Sequence, residues 1–346
     1  MRIAIATTQV PFLRGGAEIH AASLRHELEL RGIEADIVSI PFKWYPPARL
    51  LDAMLMARLV DLSAVNGQPI DRVITLKFPA YYIEHACKIG WVLHQHRQAY
   101  DLFETPFGDL HHDAEGRAVA AEIRKWDERY LPEHRALFAN SRVVRDRLER
   151  HNGIRSEVLY HPPASAERYR CAGFEPFILA PGRLDPMKRQ LLALDAFRSL
   201  PPEVRLVLIG PSTGPYGDAV SAAAQALGPH RIIMRGIVSE AEKLDLYARC
   251  LGVYNGVYDE DYGYVTLEAF LAGKPVITHT DSGGPLEFVR DGENGFVVPP
   301  AGAEIAAAIA RLAARPALAQ ELGDAGRRLL AALGIDWDKI IARLVA

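Results

Sequence analysis

Short apolar segments alternate with amphipathic helix patterns along nearly the whole 346-residue chain. In the first half, IAIATT, ADIVSI, DRVIT and KIGWVLH have the length and apolar content of buried strands. Between the first two, AEIHAASLRHELELRG keeps Ala17, Ala21, Leu24 and Leu28 at helical spacing and ends at Gly32. Strands that alternate with helices form parallel sheets with helices on their faces. The sequence therefore predicts an α/β fold built from doubly wound parallel sheets.

A proline-rich stretch, HPPASAERYRCAGFEPF, interrupts this alternation at residues 161–177. A second series of strands follows, at ILAPGR, VRLVLIG, RIIMRGIV, LGVYNGV, PVITHT and GFVVPP. We therefore expect two Rossmann-like domains, residues 1–165 and residues 166–330, that face each other across a cleft. Residues 331–346 complete the chain, and Trp337 and Ile341 are among the apolar residues at helical spacing that predict a C-terminal helix there.

Composition excludes several classes of protein. Hydrophobic residues make up 49% of the chain and charged residues 24%, which is typical of a folded globular protein and not of a disordered one. The net charge of -3 provides no overall basic field, so nucleic acid is not the expected partner. The first apolar run is too short for a signal peptide, and no run reaches the roughly 18 residues that cross a bilayer. We therefore expect a cytoplasmic protein.

Two glutamates separated by seven residues flank a predicted helix start. Glu260 lies on the loop after the predicted strand LGVYNGVY, and Glu268 lies one turn into the helix. Gly263 between them lets the backbone approach a ligand. The amides expected to be free at the helix end are those of Tyr264, Val265 and Thr266. A diphosphate flanked by sugar rings fits such a site, because carboxylates accept hydroxyl hydrogen bonds. An exposed acidic loop before a capped helix is the alternative.

Two other loops contribute candidates for phosphate binding. In VPFLRGGAE, Gly15 and Gly16 precede a helix and would expose its amides to a ligand, with Arg14 beside them, although the loop lacks the full GxGxxG pattern. In APGRLDPMKRQ, Arg183 and Lys188 follow a strand, and two cations at a strand end suit a diphosphate. A tight turn and a solvated basic turn are the respective alternatives.

Histidines, a valine and a serine complete the set of candidates. The strand KIGWVLH ends at His94, and His96 lies on the same face if the strand continues. Because no acid or thiol spacing completes a metal site, we favour a neutral ring that donates a hydrogen bond to a sugar. In RGIVSEAEK, backbone groups near Val238 are candidates for binding a base, with helix capping as the alternative. In TDSGGPLEF, Ser282 is predicted to cap a helix.

Taken in order, these segments resemble the GT-B glycosyltransferases of family four, retaining enzymes that take sugars from nucleoside diphosphate donors. The resemblance rests on GGAE, the Asn140-Ser141 step, GRL with the later lysine, the spaced glutamates, and GGPLE followed by DGENGFVV. It covers essentially the whole chain. It implies the GT-B fold, with a C-terminal helix that returns toward the N-terminal domain.

The resemblance also implies roles for residues of the second domain. Arg183 and Lys188 would hold the donor diphosphate, Glu268 the ribose hydroxyls and Glu260 the transferred sugar. The helix-end amides of Tyr264 and Val265 would meet the phosphate, beside Gly263 and Thr266, and Val238 would meet the base.

In the first domain, the resemblance implies that the loop of Gly15 and Gly16 faces the diphosphate. It also implies that the histidine after the strand meets the sugar near its reacting carbon. His94 is that histidine, with His96 as the alternative.

The function implied is retaining transfer of a hexose-type sugar from a nucleotide sugar to a hydroxyl of a glycan, a lipid-linked or a small-molecule acceptor, without cofactor or metal ion. The apolar segment PARLLDAMLMARLVDL is either a helix packed in its own domain or a peripheral contact with the inner face of the membrane. Three other functions stay open: a transferase whose metal is held by the run Asp259 to Asp261, a sugar-nucleotide epimerase, and an inert sugar-nucleotide-binding protein. The nucleotide, the sugar and the acceptor are not predicted.

Overall fold

The chain is described by a computed structural model that covers residues 1–13 and 15–346, so that Arg14 of the glycine loop lies outside the described residues. The chain forms two compact units. The first consists of residues 1–164 and 336–346, and the second of residues 165–335. Each unit contains a six-stranded sheet, and all strand pairs within these two sheets are parallel. The predicted α/β class with two parallel sheets is confirmed.

The sheet of the first unit has the order β2-β1-β5-β6-β7-β8. Its strands are β1 (Arg2–Gln9), β2 (Glu34–Pro41), β5 (Arg72–Lys77), β6 (Lys88–His94), β7 (Ala136–Ala139) and β8 (Glu157–Val158). A separate antiparallel pair consists of β3 (Ala64–Val65) and β4 (Gln68–Pro69). The helices are α1 (Gly16–Leu30), α2 (Ala48–Leu59), α3 (Ala114–Tyr130), α4 (Arg142–Asn152) and, from the end of the chain, α11 (Trp337–Val345).

The apolar periodicity explains how these helices pack. Helix α1 buries Ala21, Leu24 and Leu28 completely, on the face that the sequence predicts. Helix α11 packs within the first unit, because Trp337 meets Trp91 of β6 with a ring-centroid distance of 6.2 Å. Ile340, Ile341 and Leu344 of α11 are buried as well.

The sheet of the second unit has the order β11-β10-β9-β12-β13-β14. Its strands are β9 (Glu175–Pro181), β10 (Arg205–Ile209), β11 (Ile232–Gly236), β12 (Cys250–Tyr254), β13 (Val276–His279) and β14 (Gly295–Val298). Its helices are α5 (Gln190–Ala196), α6 (Gly214–Leu227), α7 (Glu240–Arg249), α8 (Tyr264–Leu271), α9 (Gly302–Ala314) and α10 (Pro316–Leu333).

Strand order places the candidate loops of the second unit together. The chain runs outward from β9 through β10 to β11 and then returns to β12 on the other side of β9, so the strand order reverses between β9 and β12. Open α/β sheets bind ligands at such a point, outside the carboxyl ends of the strands. The loops after β9, β12 and β13 therefore meet at this edge. No helix among the described residues has the length and apolarity needed to cross a lipid bilayer.

Candidate functional site

Backbone hydrogen bonds join the three loops at the carboxyl ends of β9, β12 and β13. The amide of Tyr258 donates to the carbonyl of Met187 over 2.7 Å, which joins the loop after β12 to the loop after β9. On the other side, the Glu260 amide donates to the Ser282 carbonyl over 2.9 Å, and the Gly284 amide donates to the Glu260 carbonyl over 2.7 Å. The backbone of Glu260 is thus held from two sides.

Two glycines make this close approach of the loops possible. Gly283 has a φ of +69°, and a Cβ placed on it would lie 2.6 Å from the carbonyl oxygen of Glu260. A Cβ on Gly284 would lie 2.7 Å from the carbonyl oxygen of Tyr262. Any side chain at either position would push the acidic loop away, so the glycines set the position of Glu260.

The predicted helix cap at Ser282 is wrong. The Ser282 hydroxyl donates to the carbonyl of Val257 over 2.8 Å and accepts from the amide of His279 over 3.0 Å. It therefore ties the loop after β12 to the end of β13, and only a short 3-10 turn at Gly284–Glu287 follows. Side-chain capping and this tertiary contact use the same hydroxyl, and local sequence does not distinguish them.

The structure brings Lys188 and Glu260 into direct contact. Lys188 ends a short 3-10 turn at Pro186–Lys188. Its ammonium group forms an ion pair with the Glu260 carboxylate, and both side chains are 29% exposed. The residue predicted to bind phosphate and the residue predicted to bind the sugar come from separate parts of the sequence. They thus lie side by side, and their charges neutralise each other.

The neighbouring cations are paired as well. Arg183 is 58% exposed and lies 3.1 Å from a carboxylate oxygen of Asp185. Arg189, which the sequence analysis did not single out, makes two hydrogen bonds of 2.8 and 2.7 Å to the carboxylate of Asp281. A diphosphate entering this edge of the sheet therefore meets three cations, each already in contact with an acid.

Helix α8 begins at Tyr264, directly after Gly263, whose φ is +87°. The expectation of a free Thr266 amide is wrong, because that amide donates to the Gly263 carbonyl over 3.0 Å. The Thr266 side chain is buried, and its hydroxyl accepts from the Asn255 amide group over 3.1 Å. Thr266 thus fixes the loop. Tyr264 and Val265 occupy the first two helical positions, where N–H groups point out of the helix end.

Glu268 is 9% exposed and lies against helix α7. Its carboxylate forms an ion pair with Lys243 and accepts a hydrogen bond of 2.7 Å from the Tyr247 hydroxyl. Burial, with Glu268 beside it, raises the pKa of Tyr247 well above its ordinary value, so the phenol stays a donor. The side chain of Glu268 is therefore held in one orientation.

Val238 lies just before α7 and Lys243 in its first turn, and only Val238 was assigned a role from the sequence. Val238 is half-buried in the segment between β11 and α7. The next residue, Ser239, caps α7 as predicted, because its hydroxyl accepts from the Glu242 amide over 3.2 Å. Lys243 was inside the quoted segment RGIVSEAEK but was not assigned a role. A lysine one turn into a helix that follows a candidate loop was the available signal.

In the first unit, the candidate residues lie at the carboxyl ends of β1, β5 and β6. Gly15 is the residue before α1, which starts at Gly16, and the Gly15 amide donates to the Glu18 carboxylate over 2.8 Å. That carboxylate also pairs with Lys77 at 3.1 Å. Burial alone would raise the pKa of Glu18, but Lys77 and the Gly15 amide lower it overall. Lys77, which the sequence analysis missed, is the register partner of His94.

The two histidines differ in environment. Strand β6 ends at His94, so the expectation that a continuing strand places His96 on the same face is wrong. His96 is 8% exposed, its ring lies 4.9 Å from the Phe78 ring, and burial, together with His94, lowers its pKa to about 3. His96 is thus a neutral core residue.

His94 is half-buried, and its Nδ1 lies 2.7 Å from the Gln95 carbonyl oxygen. A carbonyl only accepts, so Nδ1 carries a proton. A neutral ring then offers Nε2 as an acceptor, and not as the donor that we expected.

The side chains that could ligate a metal ion are those of His, Cys, Asp and Glu residues. In residues 1–13 and 15–346, no three His, Cys, Asp or Glu side chains come together as metal ligands. Within the Asp259–Asp261 run, Glu260 is engaged by Lys188. Cys87, Cys171 and Cys250 are free thiols, of which Cys250 is buried, Cys87 half-buried and Cys171 exposed.

Known proteins resemble this chain in sequence. Residues 167–329 match the family model described as glycosyl transferases group 1. A D-inositol 3-phosphate glycosyltransferase of Streptomyces bingchenggensis (strain BCW-1) is 31% identical over 235 residues, which cover 60% of this chain and 50% of that protein. The alpha-1,3/1,6-mannosyltransferase ALG2 of Homo sapiens is 34% identical over 101 residues, which cover 29% of this chain and 24% of that protein. The chain thus spans half or less of the length of these relatives.

Solved structures resemble the whole chain in fold. The sucrose-phosphate synthase from Thermosynechococcus elongatus has a TM-score of 0.75 at 19% identity, covering 99% of this chain and 97% of that one. HepE of Anabaena, solved in complex with UDP and glucose, has a TM-score of 0.73 at 17% identity, covering 99% of both chains. These similarities show that the chain has the GT-B fold.

Proposed function

We propose that the protein transfers a hexose-type sugar from a nucleoside diphosphate donor to a hydroxyl group, because residues 167–329 match the family model described as glycosyl transferases group 1. The observation that carries the proposal is the Lys188–Glu260 pair at the strand-order reversal of the second sheet. It combines a cation suited to phosphate with an acid suited to sugar hydroxyls, next to the N-terminus of α8. The structure of HepE with UDP and glucose supports the choice of ligand class.

Donor binding exchanges the partners of the paired residues. We place the diphosphate against Lys188 and Arg183 and at the helix end of Tyr264 and Val265, where the helix dipole favours negative charge. A carboxylate beside a diphosphate is repelled, so Glu260 must leave Lys188 and accept hydrogen bonds from sugar hydroxyls instead. The same pair thus binds both halves of the donor.

Glu268 fits the ribose. Lys243 and Tyr247 occupy one acceptor position on each of its oxygens. The Tyr169 side chain also hydrogen-bonds this carboxylate. A carboxylate has about four acceptor positions, so a ribose hydroxyl can still be accepted beside these three partners. Its fixed orientation means that little side-chain entropy is lost when the ribose binds. Backbone groups near Val238 are the proposed contact of the base.

The chemistry follows from the charges. The bond between the anomeric carbon and the phosphate oxygen breaks, and its electron pair stays on the diphosphate, which Arg183, Lys188 and the helix dipole stabilise. The acceptor oxygen attacks the oxocarbenium-like sugar on the face that the diphosphate leaves, and its proton passes to the departing phosphate oxygen. Retention of configuration follows, without a protein base. His94, Gly15 and Gly16 keep the roles that the resemblance implies, with Nε2 of His94 as an acceptor for a sugar hydroxyl.

We also propose that no divalent metal ion is needed, because Arg183 and Lys188 supply the positive charge at the diphosphate. A chelator should then leave the reaction rate unchanged. Loss of the activity with chelator, and its recovery with Mn²⁺, would favour a metal held at the Asp259–Asp261 run.

A lipid-linked acceptor is the acceptor class that the surface favours. Helix α2 buries one face in the first unit, as the packed-helix interpretation expects, but it exposes a stripe of leucines four residues apart: Leu51, Leu55 and Leu59 are 36%, 53% and 73% exposed. Trp44 and Tyr45, exposed just before the helix, are residue types that settle at lipid interfaces. We propose that this stripe contacts a lipid surface. Vesicles of phosphatidylcholine with phosphatidylglycerol should co-sediment the full chain but not its Leu55→Glu variant.

The function is tested by incubating the full chain with UDP-, GDP- and ADP-sugars and measuring release of nucleoside diphosphate with and without acceptors. Arg183→Ala and Glu268→Ala should each lower the rate about 100-fold or more. Arg198→Ala is the matched control, because Arg198 forms an exposed pair with Asp195 on α5. Full activity in both site variants would refute the site. An epimer without released diphosphate, or binding without turnover, would instead support an epimerase or a sugar-nucleotide-binding protein.

A further inference from the structure

A buried carboxylate in the first unit is surrounded by three tyrosines. Asp127 of α3 is fully buried, and its Oδ1 accepts hydrogen bonds of 2.9 and 2.5 Å from the hydroxyls of Tyr81 and Tyr82. Its Oδ2 accepts one of 2.8 Å from the hydroxyl of Tyr100. Burial raises the pKa of Asp127 to about 6, although the three phenols act in the opposite direction. Such a group costs stability, which makes a role beyond packing worth seeking.

One of these tyrosines continues toward the strand end that carries His94. The Tyr100 hydroxyl accepts a hydrogen bond of 3.1 Å from the side-chain amide of Asn152 on α4. The carbonyl oxygen of the Asn152 side chain in turn accepts from the side-chain amide of Gln95, which is 3% exposed. The main-chain carbonyl of Gln95 accepts from Nδ1 of His94 over 2.7 Å.

The direction of every bond in this chain is determined by its buried end. An ionised carboxylate only accepts, so Tyr100 directs its proton at Asp127 and offers its oxygen to Asn152. The Asn152 amide then points to Tyr100, and its carbonyl oxygen faces Gln95. The bond from its side chain to Asn152 holds Gln95, and the carbonyl of the same residue is the acceptor for Nδ1 of His94.

We propose that Asp127 is a positioning residue that holds the His94 ring, with its proton on Nδ1, through Tyr100, Asn152 and Gln95. The functional part rests on the proposed role of His94 toward the donor sugar. Held in this way, the neutral ring presents Nε2 as an acceptor for a sugar hydroxyl. Breaking the chain should loosen the ring and slow turnover more than it weakens donor binding.

Tyr81 provides a matched control. Its hydroxyl is buried and bonds the same carboxylate at 2.9 Å, against 2.8 Å for Tyr100. It uses Oδ1, whereas the chain to Asn152 starts at Oδ2. Tyr81→Phe and Tyr100→Phe each delete one hydroxyl from the cluster, and only the second deletion interrupts the chain. In Tyr81→Phe, Tyr82 still donates to Oδ1.

In the full-length protein, we expect both variants to lower the Tm, Tyr100→Phe by more, because it removes the donor to Oδ2 and the acceptor of Asn152, whereas Tyr82 still donates to Oδ1 in Tyr81→Phe. Tyr100→Phe should lower kcat about 10-fold with the KM for the donor nearly unchanged, and it should shift the imidazole resonances of His94 in NMR spectra. Tyr81→Phe should change neither kcat nor the His94 resonances. Equal kcat values in the two variants, with unmoved His94 resonances, would overturn the proposal.

Gln95→Leu tests the same chain from its other end and leaves the Asp127 cluster intact, so it serves if Tyr100→Phe does not fold. It should reproduce the loss in kcat, and combining it with Tyr100→Phe should add little further loss, because both break one chain. Fully additive losses would contradict the proposal. If the wild-type protein turns over no nucleotide sugar, the proposed function fails, and the His94 resonances alone decide whether the chain positions the ring.

Discussion

Replacing Glu260 by glutamine should strengthen the binding of the nucleoside diphosphate product while it slows the reaction. Glutamine keeps the shape of the side chain but removes the charge that pairs with Lys188. In the wild-type protein the diphosphate must displace that carboxylate and remain near it. In the variant, Lys188 is available, and the repulsion between Glu260 and the phosphate is absent.

The exposure of the pair sets the size of the effect. Both side chains are 29% exposed, so the pair is partly screened by solvent. Pairs open to solvent contribute up to about 1 kcal/mol. A gain of about 1 kcal/mol corresponds to a Kd that is roughly fivefold lower. The rate should fall about 100-fold, because the sugar loses a charged acceptor in the transition state.

Isothermal titration of the wild-type protein and Glu260→Gln with the released nucleoside diphosphate measures this difference. The gain should shrink at 0.5 M salt, where the screening length is only about 4 Å. Glu293→Gln is the control, because Glu293 forms an exposed pair with Arg290 in the same unit. Unchanged or weaker binding by Glu260→Gln, with Glu293→Gln like wild type, would refute the exchange of partners described above.

Other predictions concern stability and the loops. Burial is the main cause that lowers the pKa of four histidines of the first unit, to about 3 in His96, His134 and His161 and well below its ordinary value in His20. They take up protons only on unfolding, so the free energy of unfolding should fall below about pH 6.5. The slope should be roughly 4 kcal/mol per pH unit after the opposite contribution of Asp127 between pH 6 and 4. All four tryptophans lie in the first unit. On acidification, their fluorescence should therefore report the unfolding of this unit before far-UV circular dichroism reports unfolding of the second unit. Coincident transitions would contradict this. Gly283→Ala should abolish turnover. Gly292 has a similar φ of +72°, but nothing lies within 4 Å of a Cβ added there, so Gly292→Ala should only lower the Tm. Equal activity in these two variants would show that the close approach to Glu260 is unimportant.

Local periodicity was enough to predict both sheets, because alternating strands and helices leave patterns that do not depend on distant contacts. The end of β12 was predicted too late. The sequence favoured a strand through Tyr258, but the strand ends at Tyr254 and the loop residues 255–257 are buried. Apolar content indicates burial, and it does not distinguish a buried strand from a loop that packs under its neighbours.

The residue types of the site were predictable, but their partners were not. Lys188 and Glu260 were both identified, yet their contact depends on the strand order and on the bond from Tyr258 to Met187. Lys243 was overlooked for the same reason, because only the packing of α7 against α8 brings it to Glu268. Thr266 shows the opposite error. It was predicted to contact the ligand, but its amide and its hydroxyl hydrogen-bond to other residues of the protein.

Hydrogen–deuterium exchange of the full chain, with and without the nucleotide sugar that it turns over best, locates the donor site on the chain. We expect the sugar to slow exchange in peptides that cover residues 181–190 and 258–268, and Lys188→Ala to remove this protection. Protection that lies outside both segments, or that persists unchanged in Lys188→Ala, would contradict a donor site at the carboxyl ends of β9, β12 and β13.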